Sequence, residues 1–252
     1  MDTQKLLDEA CPVISEIGWS FYFAPSTIAR GERLGLDAFG FYFLGRGGVL
    51  GDVEAQVVSS AFGYFNPAVL ASIWDAGRAK IAPRDAAREF LAAAHEFGRE
   101  KLDGIPELRS FVEAASEVAD VARSHAEGLS LFAGIAAEPV PDDLPASAMH
   151  HLVLLREYRG SAHLLAIVAQ GLDPRTAHFI RRPEMYTTFG WSDEDQPSVT
   201  DNETTALRAA DDLTDRIVGN AYGVLDDEGA AGLLGGLAAI APAVRGATIP
   251  GS

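Results

Sequence analysis

The chain has 252 residues, a formal net charge of −16 and a single cysteine. The excess of 36 Asp and Glu over 20 Lys and Arg disfavours binding to nucleic-acid phosphates, although a local basic patch can lie on an acidic protein. A lone cysteine excludes an intrachain disulfide and a thiolate metal cage. The N-terminus has no secretory-signal pattern, and no apolar stretch reaches the roughly 20 residues of a membrane helix, so we expect a cytoplasmic protein that does not associate with membranes.

Helical patterns dominate the first half of the chain. Apolar spacing and start signals predict helices over residues 2–18, 27–34, 53–62, 67–74, 82–101 and 106–126. Ser26, Asp52 and Asn66 stand where N-caps belong. The glycine-rich stretch 45–48 is predicted to be a turn, and Gly40–Leu44 is a candidate strand of a small wing.

The second half continues the helical pattern after a connector rich in proline and acid at residues 138–145. Helices are predicted over residues 146–158, 162–170, 174–180, 204–219 and 229–241. Arg159-Gly160 is expected to break the chain between two of them, and Met185–Phe189 is the other candidate strand. Residues 190–203 form an acidic loop. We therefore predict a mainly α fold with little β structure.

One pattern occurs twice along the chain. Arg46-Gly47 is followed by two helical segments and Trp74, and Arg159-Gly160 by two helical segments and Trp191. The match could be coincidence, but the shared order favours two related, winged-helix-like halves, residues 1–126 and 127–252. Related halves tend to face each other, which predicts a polar cleft between them.

Short helices with a wing suggest a DNA-binding regulator, but the candidate recognition helices argue against DNA. Residues 53–62 and 162–170 contain neither Lys nor Arg. A helix that enters the major groove needs several exposed Arg, Lys, Asn or Gln residues. Both segments are therefore predicted to be buried core helices.

Charged residues cluster at the predicted break in the second half. Arg156 and Arg159 can share one helix face, Glu157 lies beside them, and His163 is expected near the start of the next helix. Two guanidinium groups and a helix N-terminus would bind sulfate, phosphate or carboxylate. The alternative is an Arg–Glu ion pair that fastens two helices together.

Two further residues are candidates for chemistry. Arg46 is the counterpart of Arg159 and would face the same cleft, unless it is a turn arginine in solvent. His95 lies mid-helix among alanines, which leaves room for a ligand-facing base, although such a histidine is more often simply half-exposed. The adjacent His150 and His151 point to different helix faces, so we expect no metal, and no glycine fingerprint indicates a nucleotide cofactor.

The second half resembles an actinobacterial family described as SalK-like or helix-turn-helix-like. Its members carry Leu-Arg-Glu-His-Arg-Gly-Asp-Gly-His where this chain has Leu-Arg-Glu-Tyr-Arg-Gly-Ser-Ala-His at residues 155–163. The resemblance extends to residues 45–46, 65–67, 131–133, 190–193 and 214–216. The chain departs from the family at Tyr158, at Ser161-Ala162 and at Ile135, where Asn is usual, which implies a different ligand from most members.

More narrowly, the chain is similar to the aziridine-forming proteins of azinomycin and vazabitide biosynthesis. This resemblance implies a natural-product enzyme without metal or cofactor, in which an amine displaces sulfate from a neighbouring carbon. The substrate would be a small anion, either free or linked to a carrier protein, and a small protein subunit would assist.

The roles expected under this resemblance fall into three groups. Arg46 and Arg159 would bind the leaving group, and Glu157, His163 or His95 would accept the proton. The other predicted substrate contacts are Arg156, Ser161, Tyr158, Asn66, Tyr22 and Trp191. The alternatives are a ligand-responsive regulator or resistance protein, and a non-catalytic scaffold whose apolar 229–243 segment docks a partner.

Overall fold

A computed structural model describes residues 1–245, which contain α-helices and three short 3₁₀-helices but no β-strand. In the first half the helices are α1 (Thr3–Ile17), α2 (Pro25–Arg33), α3 (Ala38–Gly47), α4 (Ala55–Phe62), α5 (Pro67–Arg78), α6 (Pro83–Leu102) and α7 (Leu108–Arg123). In the second half they are α8 (Ser130–Ala136), α9 (Leu144–Ala169), α10 (Pro174–Arg181), α11 (Asp201–Tyr222) and α12 (Asp227–Val244). The prediction of a mainly α fold is confirmed.

Of the three predicted N-caps, one caps a helix and two do not. Asn66 does cap α5, because its side chain accepts a hydrogen bond from the Ala68 N–H at 3.0 Å. Ser26 lies inside α2, which begins at the preceding proline. Asp52 precedes α4 by too many residues to cap it and pairs with Arg78 instead. The predictions that Ser26 and Asp52 are caps were therefore wrong.

The aromatic segment at residues 40–44, predicted to be a strand, lies in helix α3. Asp37 caps this helix through the Gly40 N–H at 2.6 Å. Alternating aromatic residues favour strands, but here consecutive residues are all buried, so packing on every side overrides the local preference. The second predicted strand, residues 185–189, is the end of a 3₁₀-helix and a turn. No wing strand forms in the described part of the chain.

The glycines around Arg46 allow close helix packing rather than a turn. A Cβ at Gly45 would lie 2.5 Å from the Cβ of Phe90 on α6. A Cβ at Gly48 would lie 2.0 Å from the carbonyl oxygen of Pro83. The predicted turn at residues 45–48 was therefore wrong: α3 continues through Gly47 and a 3₁₀ turn follows.

Helix α9 runs without interruption through Arg159-Gly160, where a break was predicted. A glycine inside a helix costs about 1 kcal/mol relative to alanine, which the packing of the buried apolar residues along α9 outweighs. His163 consequently lies inside this helix, where its neighbouring N–H groups bond along the helix and cannot bind an anion. The expected helix N-terminus beside His163 does not exist.

Helix α9 lies in the middle of the molecule and packs against α6, α7, α8 and α11. The main cluster of buried apolar residues includes side chains from both predicted halves. Helix α12 packs on α7 and α1 and buries Leu233, Leu237 and Ile240. The apolar 229–243 segment is thus part of the core, not an exposed docking surface.

Among the described residues, no helix is both long and apolar enough to cross a bilayer.

Residues 182–200 form a segment with two 3₁₀-helices that returns to the first half of the molecule. The Asn66 backbone N–H donates to the Phe189 carbonyl at 2.9 Å, and its side-chain Nδ2 donates to the Gly190 carbonyl at 3.0 Å. The Trp191 indole N–H donates to the Tyr64 carbonyl at 2.9 Å. Asn66 and Trp191 therefore fasten this segment to the start of α5.

Candidate functional site

A cavity of about 390 Å³ lies between the aromatic side chains of the first half and helices α9 and α10 of the second. Its volume is within the range of sites for small organic ligands. Its aromatic wall consists of Trp19, Tyr22, Phe23, Phe39, Tyr42, Phe62, Tyr64, Phe65 and Phe189. Met185, Thr188 and Phe189 come from the 182–200 segment, which therefore contributes one side of the cavity.

The cavity is positively charged although the protein is acidic. Five arginines line it: Arg46, Arg156, Arg159, Arg181 and Arg182. Asp211 is the lone carboxylate among its lining residues. Two further carboxylates, Glu157 and Asp215, pair with lining arginines from behind, which leaves a net excess of two positive charges. The site thus suits an anion.

Arg46 and Arg159 line the same cavity, but Arg46 is held by partners on all three nitrogens. Its Nε and Nη2 donate to the two carboxylate oxygens of Glu157 at 2.8 and 2.9 Å. Its Nη1 donates to the Tyr42 hydroxyl at 3.0 Å, and the guanidinium lies 4.4 Å from the Phe62 ring centre. Arg46 therefore contributes charge to the cavity, with little freedom to reorient towards a ligand.

Glu157 is a buried counter-ion and does not line the cavity. Besides Arg46, it accepts a hydrogen bond from Arg156 Nη1 at 3.0 Å and from the Tyr22 hydroxyl at 3.3 Å. Burial raises the pKa of a carboxyl, but the two guanidinium groups outweigh it, so the pKa of Glu157 is below its usual value. This carboxylate stays ionised and orients Arg46 and Arg156.

Arg159 retains more capacity to bind a ligand. Its Nη1 donates to Asp215 of α11 at 2.7 Å, and none of its other donors has a hydrogen-bond partner among the described residues. Arg181 of α10 pairs with Asp211 of α11, and about half of the Arg181 side chain (47%) is exposed. Guanidinium groups of this kind can add a second, bidentate contact to an anion.

His163 lines the cavity in a defined tautomer. The Thr214 hydroxyl donates its single proton to the Ala210 carbonyl at 2.6 Å. It can therefore only accept from His163 Nδ1, which lies 3.0 Å away and must carry the ring proton. Burial, with Arg181 and Arg159 nearby, lowers the pKa of His163 to about 4. At neutral pH its Nε2, on the opposite ring edge, is an acceptor available to a ligand.

A model of a helix-turn-helix family matches residues 8–250. The chain belongs to this helix-turn-helix family. Comparison with curated proteins and with solved structures gives no match.

The family description suggests DNA binding. Such binding would require exposed cations on the two candidate recognition helices, residues 53–62 and 162–170. Helix α4 presents Gln56, Val57 and Ser60 to solvent, with no cation. Residues 162–170 are mostly the end of α9, where His163, Leu164 and Ile167 line the cavity. Neither segment of this helix-turn-helix protein has the basic surface that a DNA groove requires.

The structure brings together only part of the predicted site. Arg46, Arg156, Arg159, Ser161, His163 and Tyr22 line the cavity. Tyr158 is buried and donates to the Ile217 carbonyl at 3.3 Å, which places its hydroxyl against α11. Asn66 and Trp191 lie outside the cavity and hold the 182–200 segment.

His95 lies away from the cavity, although the sequence offers it as a base. Its Nε2 is 3.1 Å from Nδ1 of His150, which is fully buried. Burial, with Arg99 nearby, lowers the pKa of His95 to about 4. In residues 1–245 no group of three or more His, Cys, Asp or Glu side chains could hold a metal ion.

Four charged or imidazole side chains of the cavity were not predicted from the sequence: Arg181, Arg182, His178 and Asp211. The first two form the longest basic run of the chain, which is the one signal that could have indicated them. Asp211 lies in a helix rich in acidic residues, where nothing distinguishes it from its exposed neighbours.

Proposed function

We propose that this helix-turn-helix family protein binds a small organic anion in the cavity between its two halves. The observation that carries the proposal is the set of five arginines on one aromatic-lined cavity in a chain of net charge −16. Glu157, Asp215 and Asp211 offset three of these charges, and an anion would offset the excess of two that remains. The aromatic wall favours an organic body over an inorganic ion.

Isothermal titration calorimetry with benzoate and benzenesulfonate tests this proposal, with neutral benzamide as the comparison. We expect both anions to bind and to weaken as salt is added, and benzamide to bind poorly. Arg159→Ala should weaken anion binding at least about tenfold. Arg175→Ala is the matched control, because Arg175 lies over Trp191 outside the cavity. Equal affinities for the anions and benzamide would refute the proposal.

A second candidate, catalysis in natural-product biosynthesis, is favoured by the tautomer of His163. In the ring closure implied by the aziridine resemblance, the amine nitrogen bonds to a neighbouring carbon, and the C–O bond breaks. Sulfate then leaves with the bonding electrons. Nε2 of His163 would take the amine proton, and Arg159 would stabilise the departing charge. Glu157 and His95 have no part in this scheme because neither lines the cavity.

Incubation with 2-aminoethyl hydrogen sulfate, followed by mass spectrometry, tests this second candidate. We expect release of sulfate and formation of aziridine, and loss of both in His163→Phe. Absence of turnover, together with anion binding that depends on Arg159, would support a binding protein. Salt-sensitive binding to DNA would instead support a regulator, which the exposed surface of α4 disfavours.

A further inference from the structure

We infer that the ligand is an aromatic acid bearing an O–H or N–H donor, which lies over the bare turn of α9 at Gly160. This inference rests on the proposed function and specifies the class of anion. Three features of this aromatic-lined cavity carry it: the guanidinium donors of α9, the acceptor nitrogen of His163, and the open space at Gly160.

The donors on α9 are guanidinium groups, which can only donate hydrogen bonds. Arg156 and Arg159 lie three residues apart on the helix and both line the cavity. Their carboxylate partners, Glu157 and Asp215, approach from outside the cavity lining. The ligand group that faces these arginines must therefore be an acceptor, and the charge excess favours an ionised one.

His163 places a requirement of the opposite kind next to this anion. It follows Arg159 by four residues, so the two side chains share a helix face. Since Thr214 fixes the proton on Nδ1, the Nε2 atom can only accept a hydrogen bond. A ligand that presents only anionic oxygens would leave Nε2 unpaired or oppose its lone pair. The complementary ligand carries an O–H or N–H beside its acid group.

Gly160 leaves open space between these two polar features. A Cβ at this position would have no atom within 4 Å, and the residue lines the cavity. Its φ is not in the left-handed region, so neither packing nor backbone conformation requires glycine here. An alanine would stabilise the helix. We attribute the bare turn to the ligand, whose ring edge passes over it between Arg156 and His163.

The first experiment separates the donor requirement from simple anion binding. Calorimetry is carried out on the full chain with benzoate, the three hydroxybenzoates and the three methoxybenzoates, which cannot donate. We expect one hydroxybenzoate to bind about tenfold more tightly than benzoate and than its methoxy counterpart. In His163→Phe this preference should vanish while benzoate still binds.

The outcomes distinguish the inference from the proposed function. If every hydroxy and methoxy pair binds equally while benzoate binds through Arg159, the inference is wrong and anion binding stands. If none of the aromatic acids binds, both are wrong. A preference that persists in His163→Phe would also overturn the inference.

The second experiment uses glycine substitutions with a matched control. Gly235 also lies inside a helix, is exposed, and has no atom within 4 Å of a built Cβ. Gly160→Ala and Gly235→Ala should both raise the melting temperature, because both remove a helix-interior glycine. Only Gly160→Ala should weaken binding of the preferred hydroxybenzoate, by about fivefold or more, and Gly160→Leu should abolish it. Unchanged affinity in Gly160→Leu would contradict the placement over this turn.

Discussion

Arg46 of α3 and Glu157 of α9 form a bidentate ion pair, with N–O distances of 2.8 and 2.9 Å. Only 14% of the Arg46 side chain and 1% of the Glu157 side chain are exposed. The pair joins the Arg-Gly motif of the first half to the Arg-Glu motif of the second. It is therefore a structural link at the cavity wall, in which Arg46 lines the cavity and Glu157 lies behind it.

Because this pair is buried, we expect Glu157→Gln to destabilise the protein by about 3–5 kcal/mol. The substitution removes the counter-ion of Arg46 and Arg156 and leaves two guanidinium groups close together. Urea denaturation measures the free energy of unfolding. Glu117→Gln on the exposed face of α7 is the control and should change it by less than about 0.5 kcal/mol.

A double-mutant cycle separates the ion pair from the packing of its two side chains. Arg46→Met together with Glu157→Leu should be clearly more stable than the sum of the single substitutions predicts, since neither member of the pair is then left without the other. Arg156 loses Glu157 in the single Glu157→Leu variant and in the double variant alike, so that loss cancels in the cycle. Additive effects would mean that the two side chains do not interact in solution. Loss of fold in the single variants alone would agree with the expected coupling.

Local signals in the sequence predicted most helices because those signals depend only on neighbouring residues. Asn66-Pro67 starts α5 and Pro83 starts α6, as expected from capping and from the fixed φ of proline. The same local rules failed at Gly45 and Gly160. There, packing between helices that are distant in sequence decides the conformation. Helix α3 lies directly against Phe90, and α9 packs against α6, α7, α8 and α11.

The site was predictable only where its residues are close in sequence. Arg156, Arg159 and His163 share one motif, and all three line the cavity. Their partners do not follow from spacing: Asp215 is 56 residues from Arg159, and Thr214 is 51 residues from His163. The sequence thus indicates that these cationic side chains lie near each other. The packing of α11 on α9 determines which of their nitrogen atoms stay unpaired and can bind a ligand.

Asp215 limits how strongly Arg159 can bind an anion. Asp215→Asn removes one negative charge behind the cavity and weakens the hold on Arg159 Nη1. We therefore expect benzoate to bind about three- to tenfold more tightly, as judged by calorimetry. Asp212→Asn is the control, because it makes the same charge change at an exposed position of α11. An increase of equal size in both variants would indicate a long-range charge effect and contradict a local role of Asp215.

Buried histidines make the stability of the fold dependent on pH. Burial, with His95 nearby, lowers the pKa of His150 to about 3, and the pKa of His95 is about 4. The unfolded chain takes up these protons below about pH 6.5, whereas the folded chain excludes them until the pH is much lower. The free energy of unfolding should therefore decrease as the pH falls from 6.5 towards 4. His150→Leu should reduce this slope by at most about 1.4 kcal/mol per pH unit, and the exposed His125→Gln should leave it unchanged.

Asn66 offers a way to release the 182–200 segment without disturbing helix α5. Its Oδ1 caps the Ala68 N–H, and its Nδ2 donates to the Gly190 carbonyl. Asn66→Asp keeps the cap but places a carboxylate oxygen against that carbonyl, so the contact becomes repulsive. Asn66→Ala removes both interactions.

We expect Asn66→Asp to increase amide hydrogen exchange in residues 182–200 while the start of α5 keeps its protection. Asn66→Ala should increase exchange in both places, since the cap is also lost. Because Phe189 and Met185 of this segment line the cavity, Asn66→Asp should also speed release of a bound aromatic acid, which stopped-flow fluorescence would detect. Exchange in residues 182–200 that matches the unsubstituted protein would show that the Gly190 contact does not hold the segment. The two links that this substitution keeps, from the Asn66 backbone N–H to the Phe189 carbonyl and from the Trp191 indole to the Tyr64 carbonyl, would then have to hold the segment.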